Sequence, residues 1–161
     1  LFGNLEPVRR YSIRQAIKLN YKYSLKADID NALHHYKVMI EPFWNDEKCI
    51  DKTIHNIGNS LFALREDGLL HSCTILDKNN NPTYIVFYLL DKKQAYYLYG
   101  IKTPHTSSYD GTYANWIMWK ELFNSHKCFL VDLEGVNSPK RGWFKLSFGG
   151  ILENYYSIKL S

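Results

Sequence analysis

The chain has 161 residues, 45% of them hydrophobic and 16% aromatic, and a formal net charge of +4. This length carries one domain with a real core, no apolar run approaches the roughly 20 residues of a membrane span, and no signal-peptide pattern opens the chain. The charge is mild but uneven, because Lys and Arg gather at 9–26 and again at 140–145, where phosphate groups would be attracted.

Pro7 to Leu19 reads as a helix, with Val8, Tyr11, Ile13 and Ile17 at helical spacing. Its basic residues, Arg9 to Lys18, are most simply a solvated helix face. Tyr21 to Leu25 is a short extended piece. Asp28 then caps a second helix, whose inward stripe is Ile29, Leu33, Tyr36 and Ile40 and which Pro42 stops. A third helix is expected over Asp46 to Asn56. Four strands follow, Leu61–Arg65, Leu69–Leu76, Thr83–Leu90 and Ala95–Ile101, separated by turns at Asp67-Gly68, Asn79–Pro82 and Asp91–Lys93. Hairpin connections of this length make an antiparallel meander.

The next connection differs. Gly111 to Asn124 reads as a helix lying between the Ala95 strand and a strand at Cys128–Leu133, a β-α-β crossover that implies parallel neighbours and a right-handed path. The fold class expected is therefore α+β, a mixed sheet in which an antiparallel meander is followed by one crossover, with helices on both faces. The three cysteines, Cys49, Cys73 and Cys128, are odd in number and widely spaced in apolar surroundings, so they read as reduced, buried thiols and point to a cytoplasmic home. The six histidines show no ligand spacing, so no metal is expected, and nucleotide-binding and serine-hydrolase patterns are absent.

Polar chemistry concentrates after the last strand, in D-L-E-G-V-N-S-P-K-R-G-W-F-K-L-S-F-G-G from Asp132 to Gly150. Asp132, Glu134 and Asn137 cluster at a strand's carboxyl end, where ligands of open α/β sheets usually sit. Two residues apart on a strand, Asp132 and Glu134 would share a face, one orienting an acceptor while the other takes its proton. Asp132 would equally cap a turn or pair with Arg141. The loop Ile101 to Thr112 enters the crossover helix with small polar residues, among them Ser107, Ser108, Gly111 and Thr112, and a helix amino terminus offers unpaired N–H groups to phosphates. Ser108 or Asp110 would alternatively serve only as the helix cap. His105 in this loop is a candidate base. Tyr84, Tyr88, Tyr96, Tyr97 and Tyr99 would line a groove for a sugar ring or else pack half-buried in the sheet.

The blocks D-L-E-G and W-F-K-L-S-F-G-G resemble the Fem-type transferases, which attach amino acids to peptidoglycan precursors and belong with the GNAT-like acyltransferases. In that family an acidic strand end and a glycine precede F-K-x-x-F-G-G and a final strand, which Tyr155–Leu160 would supply. The resemblance implies one GNAT-like domain over 1–161, read as the carboxyl-terminal half of a two-domain protein. It implies an acyltransferase moving an acyl or aminoacyl group to an amine on a nucleotide-linked sugar, another cell-envelope precursor or an amino sugar. The donor would be acetyl-CoA or another acyl-CoA, held at Ser107, Ser108, Gly111 and Thr112, or aminoacyl-tRNA, met by Lys140, Arg141 and Lys145. Lys145 would stabilise the oxyanion or a donor phosphate with Phe144 packed beneath, and Asp132 and Glu134 would complete the catalytic set. Tyr99, His105, Asn137, Arg141 and Phe144 would bind substrate. One departure is plain: the glycine-rich phosphate loop of ordinary acetyltransferases is reduced to Gly111. A non-catalytic module that holds the acceptor or braces an amino-terminal domain is the alternative, and an amino-terminal domain or a homodimer would be the protein partner.

Overall fold

A computed structural model describes residues 2–135 and 139–153. Pro7 at the first helical position starts α1 (Pro7–Lys18), and Asp28 caps α2 (Ile29–Ile40) by accepting the Asn31 N–H at 3.1 Å. Pro42 turns the chain out of α2 through a short 3-10 segment, Glu41–Phe43. Asp46 caps α3 (Glu47–Glu66) in the same way, accepting from Cys49 at 3.2 Å. The helix runs through Leu61–Arg65, which the sequence reading had as a strand. Ile50, Ile57, Gly58 and Leu61 hold the 3.6-residue period, so the short apolar run L-F-A-L is the last turns of a helix, with Leu61 only 1% exposed. Gly68, at φ 71°, lets the chain turn back into the sheet.

Among the described residues the sheet has five strands in the order β1 (Lys22–Ser24), β2 (Leu70–Leu76), β3 (Pro82–Asp91), β4 (Gln94–Lys102) and β5 (Leu130–Asp132). The first four are antiparallel neighbours, and β5 lies parallel to β4 after the crossover helix α4 (Asp110–Ser125). The expected α+β class, with a meander and then one crossover, is what the chain adopts.

Period-two alternation along β3 sends Tyr84, Val86, Tyr88 and Leu90 to one face and Ile85 and Phe87 to the other. The first face packs on α1 and α4 through Ile13, Ala16, Ala114, Ile117 and Met118, the second on α2 and α3 through Ile29, Ala32 and Leu61. Helices thus cover both faces. In α1 the buried stripe is Arg9, Ser12, Ile13 and Ala16, while Val8, Tyr11 and Ile17 are exposed, so the inward face is rotated from the one the apolar residues suggested. Of the cysteines, Cys73 and Cys128 are buried but Cys49 is exposed, which corrects the expectation of three buried thiols. Burial pushes the Cys73 thiol up to about 12.

The last helix, α5 (Pro139–Leu146), was not anticipated. It is followed by Phe148, buried against Trp119 with ring centroids 4.8 Å apart. Gly149, at φ 81°, sits where any Cβ would collide with the Asn4 carbonyl. The expected strand Tyr155–Leu160 and the candidate Asn137 lie outside the described residues.

Candidate active site

The sheet opens at one place. Among the described residues β4 and β5 pair over Gln94–Tyr96 against Leu130–Asp132, and no other described strand pairs with β4 on that edge as it continues to Lys102. At the parting point β4 carries a bulge: Phe87 pairs with Tyr99 but Tyr88 pairs with Tyr97, so Leu98 is the extra residue. A bulge breaks the ladder and increases local twist. Tyr97 packs with the α1–α4 core while Leu98 and Tyr99 both pack with the α2–α3 core, so β4 bends where β5 leaves it.

A cavity of about 1090 Å³ occupies this opening. Its floor is Tyr97–Gly100 of β4, one wall is α2 and the turn after it (Tyr36, Met39, Phe43), another is the loop and first turn of α4 (Ser107, Ser108, Gly111, Thr112), and α5 closes it with Arg141, Phe144 and Lys145. The structure therefore brings together Tyr99, Ser107, Ser108, Gly111, Thr112, Glu134, Arg141, Phe144 and Lys145, residues scattered over the sequence. His105 is exposed and does not line the cavity.

Asp132 does not line it either, and the idea that Asp132 and Glu134 share a strand face is corrected. The strand ends at Asp132, and Glu134 sits beyond it at φ 62°, outside β-sheet alternation. Asp132 Oδ1 accepts the Glu134 backbone N–H at 2.7 Å, so one carboxylate shapes the turn that presents the other. Lys145 Nζ donates to the Gly135 carbonyl at 2.9 Å, fixing the far side of the same turn. Burial lowers the Lys145 pKa, and Arg141 adds to the effect, while Glu134 and Asp132 oppose it.

The α4 loop is prearranged from within. Asp110, wholly buried, accepts from the Ser107 N–H at 2.8 Å and the Ser107 hydroxyl at 2.5 Å. Its carboxylate is thus turned back into the loop. Ser108 is exposed and makes no cap, and Tyr109 occupies the capping position without a side-chain bond. Tyr84 fills the gap between two glycines of the wall: a Cβ on Gly100 would strike the Tyr84 and Tyr97 hydroxyls, and one on Gly111 would lie 3.1 Å from the Tyr84 ring. Burial holds the phenols of Tyr84 and Tyr97 above their usual range, so both stay protonated at neutral pH. Tyr88, also placed in the groove by the sequence reading, is instead a fully buried core residue.

Sequence reasoning missed Arg9. It was expected on a solvated face, yet it is 5% exposed and lines the cavity, with Nε donating to Ser147 Oγ at 2.6 Å and Nη1 to Thr112 Oγ1 at 2.8 Å. Its guanidinium stacks on Phe144, Trp143 and Phe148 at 4.3, 5.0 and 5.1 Å. Ser147 in turn donates to the Phe144 carbonyl at 2.7 Å. Much of the W-F-K-L-S-F block is therefore wrapped around this one cation. The only hint in the sequence is that Arg9 shares a helical stripe with Ile13 and Ala16.

No family model matches the sequence, and no curated protein matches it. Solved structures do match, and the fold they share with this chain is that of the GCN5-related N-acetyltransferases. A GCN5-related N-acetyltransferase from Ralstonia eutropha superposes with a TM-score of 0.63 at 13% identity, over 86% of this chain and 98% of that one. The PaiA N-acetyltransferase of Thermoplasma acidophilum, solved in complex with coenzyme A, gives 0.56 at 11% identity, over 78% and 86%. FemX gives 0.65 at 11% identity, covering 92% of this chain, which spans 54% of FemX. Among the described residues no helix is long and apolar enough to cross a membrane, and none of the His, Cys, Asp and Glu residues gather into a metal-holding group.

Proposed function

We propose that this chain is an acyltransferase domain that moves an acyl or aminoacyl group from a carrier to an amine. The observation that carries the reading is the parting of β4 from β5 onto a cavity that also receives the amino terminus of α4. Beyond Tyr96 the edge of β4, unpaired among the described residues, offers backbone N–H and C=O groups to an extended, amide-containing ligand, as an exposed strand edge does to a peptide. The first-turn N–H groups of α4 beside Ser107, Ser108, Gly111 and Thr112 suit a pyrophosphate. These two features fit acyl-CoA as donor, consistent with a structural neighbour solved with coenzyme A. Among the described residues the cavity's cations, Arg9, Lys102, Arg141 and Lys145, face the single lining carboxylate Glu134 and suit an anionic occupant.

In the step itself an amine attacks the donor carbonyl to form a tetrahedral adduct, which collapses as the carrier's bond to the same carbon breaks, and the carrier leaves as its thiol or hydroxyl with the proton the amine gave up. Glu134, whose backbone N–H bonds Asp132, would take the amine proton. Lys145, which bonds the Gly135 carbonyl, would meet the negative charge that develops on the carbonyl oxygen. Tyr99 and Phe144 provide apolar walls, and Asp132 acts as a positioning residue. A cell-envelope amino sugar or peptidoglycan precursor as acceptor rests on the likeness of the D-L-E-G and F-K-L-S-F-G-G blocks and on FemX among the structural neighbours.

Calorimetric titration with acetyl-CoA at two salt concentrations tests the reading. Saturable binding that is weakened when Gly111 and Thr112 are replaced supports it. Binding of uncharged tRNA with strong salt dependence, and none of acetyl-CoA, would shift the donor to aminoacyl-tRNA. A wild-type chain that binds acetyl-CoA but transfers nothing to any amine would make it the non-catalytic module.

A further inference from the structure

Among the described residues Arg9 is a buried charge with no counter-charge. No carboxylate lies within ion-pairing distance of it among the described residues, whose ion pairs are Lys37–Asp51 and His126–Glu121. The residues outside that range contribute neither Asp nor Glu. A guanidinium taken out of water is costly unless a partner anion compensates it, and hydroxyls and aromatic faces are all that the described residues supply. Two of its three nitrogens are used, on Ser147 and Thr112. No fully buried side-chain polar atom among the described residues lacks a partner, so the remaining nitrogen keeps access, and the residue borders the cavity.

The geometry points to an anion subsite built on Arg9: we propose that its guanidinium, preset by Ser147, Thr112 and the α5 aromatics, binds one phosphate or carboxylate of the cavity's occupant. The inference rests on the cavity being a ligand site, as the proposed function has it, and adds the residue that selects for charge. Preorganisation favours the assignment. Ser147 and Thr112 hold the fork still, so little side-chain freedom is lost when the anion arrives. The anion belongs either to the donor, as a phosphate of coenzyme A, or to an acidic acceptor.

Arg9→Gln and Arg9→Lys separate these sources by direct binding, measured by calorimetry on the full chain with paired probes. The pairs are coenzyme A against pantetheine, and glucosamine 6-phosphate against glucosamine, with inorganic pyrophosphate as a bare anion. Losing a charged hydrogen bond weakens binding by about tenfold to a hundredfold. Arg9→Gln should show that loss with coenzyme A and none with pantetheine if the donor's phosphate is read. It should show it with the phosphorylated sugar alone if the acceptor is read. Arg9→Lys keeps the charge and loses the fork, so it should fall between and carries the test where the Gln variant does not fold. Equal affinity of wild type and variant for every anion overturns the subsite, as does a wild-type chain that binds none of them. Arg9-dependent pyrophosphate binding without coenzyme A binding or acyl transfer would retain the subsite and sink the acyltransferase reading instead.

Discussion

Replacing Tyr88 by Phe tests the link between the core and the site. Tyr88 is wholly buried, its hydroxyl accepting from Trp119 Nε1 at 2.7 Å and donating to Asn115 Oδ1 at 2.5 Å. Asn115 Nδ2 donates on to the Gly111 carbonyl at 2.6 Å, so the network runs from the centre of β3 to the first turn of α4, the turn that borders the cavity. Removing one oxygen leaves the Trp119 N–H and the Asn115 carbonyl without their partner in a dry interior. Each orphaned group costs about 1–3 kcal/mol, partly offset because the hydroxyl no longer needs desolvating, for a net loss of about 2–4 kcal/mol. In a chain of this size each kcal/mol moves Tm by about 2–4 °C, so a fall of about 5–15 °C follows. Thermal melts with urea titrations measure it, with Tyr23→Phe, at a half-exposed position, as the control expected within about 0.5 kcal/mol of wild type. Tyr88→Phe combined with Trp119→Phe should cost less than the sum of the two, because the orphaned donor is gone. If Tyr88→Phe melts with the Tyr23→Phe control, the network contributes nothing and the reasoning fails.

Gly100→Ala drives a methyl into the Tyr84 and Tyr97 hydroxyls at the cavity wall, and overpacking of this kind costs about 1–3 kcal/mol; donor affinity should fall with stability, and a variant with unchanged affinity would show that the wall does not touch the ligand. Leu61→Ala, 1% exposed on α3, should cost about 2–5 kcal/mol in urea unfolding while leaving ligand affinity alone. Lys145 sets a pH dependence. Burial lowers its pKa from 10.5, so its folded-state penalty is present at low pH and is relieved as pH rises through the lowered value toward 10.5. If its ammonium meets the oxyanion, kcat/KM should fall over that same interval, and Lys145→Arg, which stays charged, should lack the alkaline limb; an identical limb in both proteins would remove Lys145 from the chemistry.

How far the sequence spoke depends on how local each signal is. Asp28, Asp46, Pro42 and the turn at Asp91–Lys93 act within a few residues, and the elements they bound were legible. Leu61–Arg65 was not, because a five-residue apolar run fits either period and only the stripe back to Ile50 decides it. Of the nine candidates that meet at the cavity, Ser107, Ser108, Gly111, Thr112 and Glu134 were read from helix-start and strand-end chemistry, which is local, whereas Phe144 and Lys145 rested on the family likeness. Arg9 was hidden for the opposite reason. Its partners Thr112 and Ser147 lie 103 and 138 residues away, so nothing around it in sequence distinguishes it from an exposed helix arginine. The F-G-G ending is legible as family likeness, but its physical cause, Phe148 under Trp119 and Gly149 against Asn4, needed the fold.

Backbone amide NMR of the chain titrated with acetyl-CoA is the most direct test of the central claim, that the opening between β4 and β5 is an acyl-carrier site. The account predicts saturable shifts centred on Tyr97–Gly100 and Ser107–Thr112, with Lys145 and Glu134 following as an amine acceptor is added. Shifts confined to surfaces away from β4 and α4, or none at all, would contradict it.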